Sequence, residues 1–239
     1  MPPLSREHFC QEPIQYKCGV AQFCNLPFYV NRHTLIPRPD TEYLVEAVLA
    51  HAPKNAHIVD LCTGSGCIAI TLALHGFNVT AVDISRKALR VAKKNAKLHN
   101  AKVKFVRADI LQGGLGGERP EIIVSNPPYI RTTEIGKHDP STLYEPKIAL
   151  DGGADGLTFY RAICAMGGGV AFKSCVSAQV SPLANRSADA NLLKATPPTI
   201  AQIYFESDPE QFADIKNLLQ NAGFRDIITY RDRIIWAKK

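Results

Sequence analysis

Hydrophobic positions in the middle of the chain fall into short apolar runs separated by segments with helical spacing. Helices are predicted over 67–75 and 86–99, where apolar residues recur every three or four positions. Four apolar runs have the length of buried strands: 57–61, 78–82, 103–106 and 121–124. Strands that alternate with helices indicate βαβ units and a parallel sheet.

A polar residue stands at or just beyond the end of each predicted strand. These residues are Asp60, Asp83, Asp109 and Asn126. Right-handed crossovers place the carboxyl ends of parallel strands at one edge of the sheet, where such sheets bind ligands. We therefore expect the four side chains to lie around one binding site.

The N-terminal residues 1–39 are punctuated by prolines and predicted to form a separate segment with a strand or hairpin arm over 23–30. A helix is predicted after Pro39, with Asp40 or Thr41 as its N-cap. This division gives an N-terminal segment over 1–39, a remnant of a linker, and a main domain over 40–239.

The last third of the chain contains a stretch over 167–200 that is rich in Ser, Ala, Asn and Pro, and we expect a long loop or atypical insertion there. Regular structure resumes with a strand over 201–205. Asp208 and Gln211 predict a capping box at the start of a helix. Two further runs, 227–230 and 233–237, predict a closing hairpin.

Composition restricts the class of protein. The 239 residues suit one domain, and 46% hydrophobic with 21% charged residues argues against disorder. The net charge of +6 is too weak to indicate nucleic-acid binding by itself. The seven cysteines include no C-x-x-C pair, so no metal site is expected and a cytoplasmic location is favoured. No apolar run approaches the ~20 residues that span a membrane.

A glycine-rich loop follows the first strand of the predicted sheet. Gly64 and Gly66 allow a sharp turn, and the helix that follows offers unpaired N–H groups to an anionic group. Asp83, at the end of the next strand, can accept hydrogen bonds from ribose hydroxyls. Asp109 and Ile110 are placed to contact an adenine ring. These residues fit a nucleoside ligand but do not distinguish NAD from S-adenosylmethionine.

The turn Asn126-Pro127-Pro128-Tyr129 after the fourth strand adds a second recognition element. The Asn126 side-chain oxygen and the Pro127 carbonyl can together accept both hydrogens of a planar NH2 group. Tyr129 offers a flat face to that group. A hydride-transfer enzyme needs no such slot, so the turn favours transfer to a planar nitrogen.

These motifs resemble the HemK/PrmC family of protein-(glutamine-N5) methyltransferases, which are class I S-adenosylmethionine-dependent enzymes that methylate the glutamine of the GGQ motif in class 1 peptide-chain release factors. Further matching segments are 12–16, 26–30, 35–42, 144–157 and 232–235. The resemblance implies an α/β, Rossmann-like fold with a mostly parallel seven-stranded sheet and a C-terminal antiparallel hairpin. It also implies S-adenosylmethionine as cofactor and a release factor as protein partner.

The resemblance assigns roles to residues that match the family motifs. Asn126, Pro127 and Tyr129 are expected to be catalytic, and together with Pro128 they are expected to bind the substrate. Arg38, Thr41 and Glu145 are expected at the pocket mouth. The expected cofactor-binding residues are Asp60, Cys62, Thr63, Gly64, Ser65, Gly66, Asp83, Asp109, Ile110 and Asn126.

Several alternatives remain open at this point. They are a glutamine methyltransferase acting on a ribosomal protein, an N6-adenine methyltransferase acting on DNA or RNA, an NAD(P)-dependent oxidoreductase, and an inactive S-adenosylmethionine-binding module. We expect a monomer with no membrane association and no nucleic acid as direct substrate. We also expect the chain to lack most of the N-terminal helical domain of this family.

Overall fold

The computed structural model describes residues 12–137, 139–167 and 200–239. Nearly all of the predicted insertion over 167–200 lies outside the described residues. Strands β1 and β2 form a separate antiparallel hairpin near the N-terminus. The described strands are β1 Val20–Phe23, β2 Leu26–Tyr29, β3 His57–Leu61, β4 Asn78–Asp83, β5 Val103–Arg107, β6 Ile122–Ser125, β7 Gln202–Glu206, β8 Asp226–Tyr230 and β9 Ile234–Lys238.

The seven strands β3–β9 form one sheet in the order β5-β4-β3-β6-β7-β9-β8. The first five strands in this order pair in parallel, and β9 pairs antiparallel with both β7 and β8. The chain leaves β3 in one direction along the sheet and later returns to its other side as β6. Such a reversal opens a crevice above the carboxyl ends of the strands. The predicted fold class is confirmed.

Helices cover both faces of this sheet. Neighbouring β3 residues show the division. Ile58 is buried among residues of α2 (Pro39–His51) and α3 (Cys67–Leu74), while Val59 is buried among residues of α5 (Thr158–Gly167) and α6 (Phe212–Asn221). Helix α5 was not predicted from the sequence. No helix within the described ranges is long and apolar enough to span a membrane. The helices are α1 Ile14–Cys18, α2 Pro39–His51, α3 Cys67–Leu74, α4 Arg86–Leu98, α5 Thr158–Gly167 and α6 Phe212–Asn221.

The start of α2 differs from the prediction. Arg38, in extended conformation, is the N-cap residue, and Pro39 occupies the first helical turn, so neither Asp40 nor Thr41 is the cap. Proline fits this position because its fixed φ suits a helix and the first turn needs no N–H donor. Thr41 consequently lies within the first turn of α2, where it is buried.

The start of α6 also differs, because the predicted capping box is only half formed. Asp208 Oδ1 accepts a hydrogen bond from the Glu210 N–H at 3.0 Å and caps a short 3-10 turn, Pro209–Gln211. The Gln211 side chain does not return to the cap. It donates instead to the carbonyl of Tyr129 at 3.1 Å. A residue predicted to stabilise a helix end therefore supports the turn that follows β6.

A buried amide on α4 connects the N-terminal hairpin to the glycine-rich loop. Asn95 is fully buried, and its Oδ1 accepts from the Tyr29 N–H at 2.7 Å. Its Nδ2 donates to the carbonyls of Tyr29 and Ser65 at 3.0 and 2.8 Å. One side chain thus satisfies three backbone groups, two of Tyr29 and one of Ser65, which lie far from each other in the sequence. The sequence predicts the helix over 86–99 but gives no indication of these partners of Asn95.

We predict that Asn95→Ala lowers the free energy of unfolding by about 3 kcal/mol, because three backbone groups lose their partner in a buried setting. Chemical denaturation of the purified chain measures this effect. Lys93→Ala, on the exposed side of the same helix, is the matched control and should change stability by less than about 0.5 kcal/mol. Equal stability of the two variants would show that Asn95 does not hold the hairpin and loop together.

Candidate functional site

The loop between β3 and α3 requires left-handed backbone conformations at three positions. Cys62, Gly64 and Gly66 have φ values of 61°, 56° and 82°. A Cβ atom at Gly66 would lie 3.0 Å from the Cβ of Ala92 on α4, so the loop also packs too closely for a larger residue. These constraints hold the loop against the sheet edge, with its backbone close to the space above β3.

Asp60 is buried at the end of β3. Its Oδ2 accepts a hydrogen bond from the Thr63 hydroxyl at 2.5 Å, whereas Oδ1 has no hydrogen-bond partner among the described residues. Burial raises the pKa of Asp60 to about 7, although the hydrogen bond from Thr63 acts in the opposite direction. A buried carboxylate with a free oxygen costs stability, which makes this position a candidate for function.

Asp83, at the end of β4, organises the backbone on both sides of the site. Its Oδ2 accepts from the Gly64 N–H at 2.9 Å and its Oδ1 accepts from the Ser85 N–H at 2.8 Å. Burial raises the pKa of Asp83, and these two backbone hydrogen bonds partly offset the effect. Asp109 has a related structural role, since its Oδ1 accepts from the Leu111 N–H at 3.0 Å. Each carboxylate oxygen retains a lone pair with which it can accept from a ligand.

A cavity of about 170 Å³ lies beside the glycine-rich loop. Asp60, Thr63, Ser65 and Gly66, which were also predicted to bind a cofactor, lie outside its lining. Leu35, Ala149 and Phe159 line the cavity without having been predicted, because they come from segments that carry no ligand-binding pattern. The predicted residues that line it are Cys62, Gly64, Asp83, Asp109, Ile110, Asn126 and Pro128.

A larger cleft of about 750 Å³ opens on the other side of Asn126. Pro127 and Tyr129, which were predicted to bind the substrate, line this cleft. Asn126 lines both the cleft and the smaller cavity, as do Leu35 and Ala149. The turn after β6 therefore stands where two binding spaces meet, with Pro128 on one side and Tyr129 on the other.

An ion pair supports the wall of the larger cleft. Arg38 Nη2 lies 2.6 Å from Glu145 Oε2, and the other oxygen of Glu145 accepts from the Ile36 N–H at 3.0 Å. Arg38 lines the cleft, while the carboxylate of Glu145 lies beneath it and is almost completely buried. Burial raises the pKa of Glu145, and the Arg38 guanidinium counteracts that effect. Thr41, the third residue expected at the pocket mouth, contacts Asn126 from α2.

Comparison with known proteins gives consistent results. Residues 39–139 match the family model of the methyltransferase small domain. A release factor glutamine methyltransferase from Flavobacterium psychrophilum is 39% identical over 233 residues, which cover 93% of this chain and 72% of that protein. One from Geobacter sulfurreducens is 46% identical over 156 residues, or 64% of this chain and 55% of that protein. The chain thus spans from just over half to under three quarters of the length of these relatives.

The chain belongs to the family of release factor glutamine methyltransferases.

Solved structures support the fold of this methyltransferase. The Encephalitozoon cuniculi Mtq2–Trm112 complex, which methylates the termination factor eRF1, matches with a TM-score of 0.53 at 16% identity over 87% of this chain and 99% of that chain. The catalytic domain of human Mettl16, solved with an RNA hairpin, matches with a TM-score of 0.59 at 17% identity over 94% and 88%. At such low identity these likenesses concern the fold alone.

The smaller cavity of the methyltransferase suits a nucleoside that carries a positive charge. Asp83 and Asp109 supply acceptors at the cavity wall, and Ile110 supplies an apolar surface. The unpartnered Oδ1 of Asp60 adds negative charge just behind the loop. S-adenosylmethionine combines a ribose, an adenine and a sulfonium cation, so these residues fit it. Asp83 would hold the ribose, and Asp109 and Ile110 the adenine.

We predict that Asp60→Asn changes how the stability of the methyltransferase depends on pH. Because burial raises the pKa of Asp60 in the folded chain, the wild type loses stability as pH rises from about 4 to about 7, where the buried group ionises. Removing that group should raise the stability of the variant relative to wild type by on the order of 4 kcal/mol across this interval. Denaturation at several pH values measures the difference.

The exposed Asn221→Ala, which changes no ionisable group, is the control for this measurement, and its stability difference from wild type should stay constant with pH. If the Asp60→Asn difference were equally constant, the carboxylate would not be ionising in a buried environment, and the charge assigned to the site behind the loop would be wrong.

Proposed function

We propose that the chain transfers a methyl group from S-adenosylmethionine to the side-chain amide nitrogen of the glutamine in the GGQ motif of class 1 release factors. The observation that carries this proposal is the position of Asn126, which lines both the cavity suited to the donor and the larger cleft. A group held by Asn126 from the cleft side would face the donor cavity. Under this proposal the acting unit is a monomer, and an acceptor in translation supports a cytoplasmic reaction.

When bound, S-adenosylmethionine would supply an electrophilic methyl group on a sulfonium sulfur. As the amide nitrogen bonds to that carbon in line, the carbon–sulfur bond would break, the thioether would leave, and the nitrogen would then release one proton to water. An amide nitrogen is a poor nucleophile because its lone pair is delocalised into the carbonyl. Asn126 Oδ1 and the Pro127 carbonyl would accept its two hydrogens, which raises the electron density on nitrogen and fixes its direction. Tyr129 would cover the flat face of the amide. Positioning and aligned dipoles of this kind account for large rate enhancements without a strong base.

The charge of the larger cleft favours a protein acceptor over a nucleic acid. Six acidic side chains and three arginines line it, and all three arginines are paired with carboxylates: Arg38 with Glu145, Arg131 with Glu134, and Arg233 with Asp40. A polyanion requires free cationic groups along its path. The lining therefore disfavours the N6-adenine alternative, although the chain as a whole carries a net charge of +6.

An acceptor assay tests the proposed function. Labelled S-adenosylmethionine is incubated with the chain and, separately, a class 1 release factor, the same factor with its GGQ glutamine replaced by alanine, a ribosomal protein and duplex DNA. We expect label only on the unaltered release factor, at the glutamine nitrogen. Labelling of DNA or of the ribosomal protein instead would assign the chain to one of the alternative acceptors. Calorimetry with S-adenosylmethionine and NAD separately tests the nature of the cofactor.

We predict that Asn126→Ala lowers kcat/KM by about 100-fold or more, since an oriented acceptor at the reacting group is removed. The dissociation constant of S-adenosylmethionine should remain measurable, because Asn126 is only one of the residues that line the donor cavity. Asn221→Ala, at the exposed end of α6, serves as the control with wild-type kinetics. Normal turnover by Asn126→Ala would exclude the proposed slot.

A further inference from the structure

Glu206 lies beside the residue that joins the two binding spaces. Strands β6 and β7 pair in parallel with Ser125 opposite Phe205, so the next residues, Asn126 and Glu206, are neighbours at the carboxyl edge of the sheet. Glu206 lines the larger cleft, although its side chain is almost completely buried. Its Oε2 has no hydrogen-bond partner among the described residues. Neither the family motifs nor the mechanism above assigns it a role.

Thr41 connects Glu206 to Asn126. The Asn126 Nδ2 group donates to Thr41 Oγ1 at 3.2 Å, and a side-chain hydrogen bond links Thr41 to the Glu206 carboxylate. Thr41 reaches this position because α2 begins at Pro39, which brings its first turn against the ends of β6 and β7. The three side chains thus form a hydrogen-bonded series that runs from the buried Glu206 to Asn126, at the junction of the cavity and the larger cleft.

The number of available protons determines the direction of these hydrogen bonds. An ionised carboxylate can only accept, so the single hydroxyl proton of Thr41 is directed to Glu206. Thr41 Oγ1 is then left as an acceptor, and only the NH2 group of Asn126 can bond to it. The Asn126 amide is consequently held with its oxygen turned away from Thr41. That orientation presents an acceptor, and not a donor, to the incoming nitrogen.

We propose that Glu206 and Thr41 are positioning residues for methyl transfer, which hold the Asn126 side chain with its oxygen toward the acceptor nitrogen. This inference rests on the proposed function, since it concerns the slot in which the glutamine amide binds. Neither residue forms or breaks a bond in the reaction. Their contribution is to exclude the reversed amide orientation, in which two NH2 groups would face one another.

The hydrogen bonds that link Glu206, Thr41 and Asn126 should depend on pH. Burial raises the pKa of Glu206 to about 7, while the hydrogen bond from Thr41 acts in the opposite direction. A protonated Glu206 can donate to Thr41 Oγ1, and the hydroxyl proton can then turn to Asn126 and favour the reversed amide. Lowering the pH should therefore weaken binding of the glutamine amide between Asn126 and Pro127. Three other charged groups act on the Glu206 carboxyl: Asp40 in α2, Arg38 at the N-cap of α2, and Arg233 before β9. Burial raises the pKa of Tyr129 after β6 and of Tyr160 in α5, and the Glu206 carboxylate adds to both shifts.

Kinetics with a release factor at saturating S-adenosylmethionine test the proposal over pH 6–9. We expect Thr41→Val to lower kcat at least tenfold with a nearly unchanged dissociation constant for the donor, and Thr41→Ser to recover most of that loss.

The pH profile tests the role of Glu206. In the wild type, kcat should decrease as the pH is lowered below about 7. Glu206→Gln cannot ionise and should not show this fall. Thr71→Val, a buried threonine of α3 whose hydroxyl has no partner among the described residues, is the matched control with wild-type kcat.

A second measurement is independent of catalysis. The side-chain NH2 resonances of Asn126, observed by 15N NMR, should titrate near pH 7 in the wild type and not in Glu206→Gln. Wild-type kcat in Thr41→Val, or a titration that persists in Glu206→Gln, would overturn the positioning role. If no release factor is methylated but the Asn126 resonances still titrate through Glu206, the proposed acceptor is wrong and the orienting series is retained.

Discussion

Parallel pairing of β3 with β6 is the constraint on which the site depends. Leu61 lies opposite Ser125, and the Ser125 hydroxyl donates to the Leu61 carbonyl at 2.7 Å. This register brings the glycine-rich loop that leaves β3 and the turn that leaves β6 to the same edge of the sheet, although they are some sixty residues apart. A shift of one residue would reverse the faces on which the side chains lie and separate the donor cavity from Asn126.

The site is built at a cost in stability. Asp60, Glu145 and Glu206 are buried carboxylates, and burial raises the pKa of each. Arg38 and the Ile36 N–H compensate the buried charge of Glu145. Asp60 and Glu206, by contrast, each keep one carboxylate oxygen without a hydrogen-bond partner among the described residues. A buried carboxylate with an unsatisfied oxygen costs stability and is rarely retained for structural reasons alone. These two carboxylates, each with one unpartnered oxygen, lie on either side of Asn126, one toward the donor loop and one toward the acceptor cleft.

Local patterns in the sequence predicted the parts of the protein that local interactions determine. Strand and helix positions follow from hydrophobic periodicity, and the Ser85 cap, whose hydroxyl accepts from the Ala88 N–H, needs only adjacent residues. The sequence analysis missed contacts between distant segments, such as Asn95 with Tyr29 and Gln211 with the Tyr129 carbonyl. Those partners depend on how elements pack, which periodicity does not encode. Thr41 was expected at the pocket mouth, but its link to Glu206 depends on the observed start of α2.

A crystal structure of the chain with S-adenosylhomocysteine and a release-factor peptide containing the GGQ motif tests the central claim most directly. The account predicts the nucleoside in the cavity lined by Asp83 and Ile110, and the glutamine side chain in the larger cleft with its nitrogen between Asn126 Oδ1 and the Pro127 carbonyl. The nitrogen should point toward the sulfur. A nucleoside bound outside that cavity, or a glutamine amide held away from Asn126, would contradict the account.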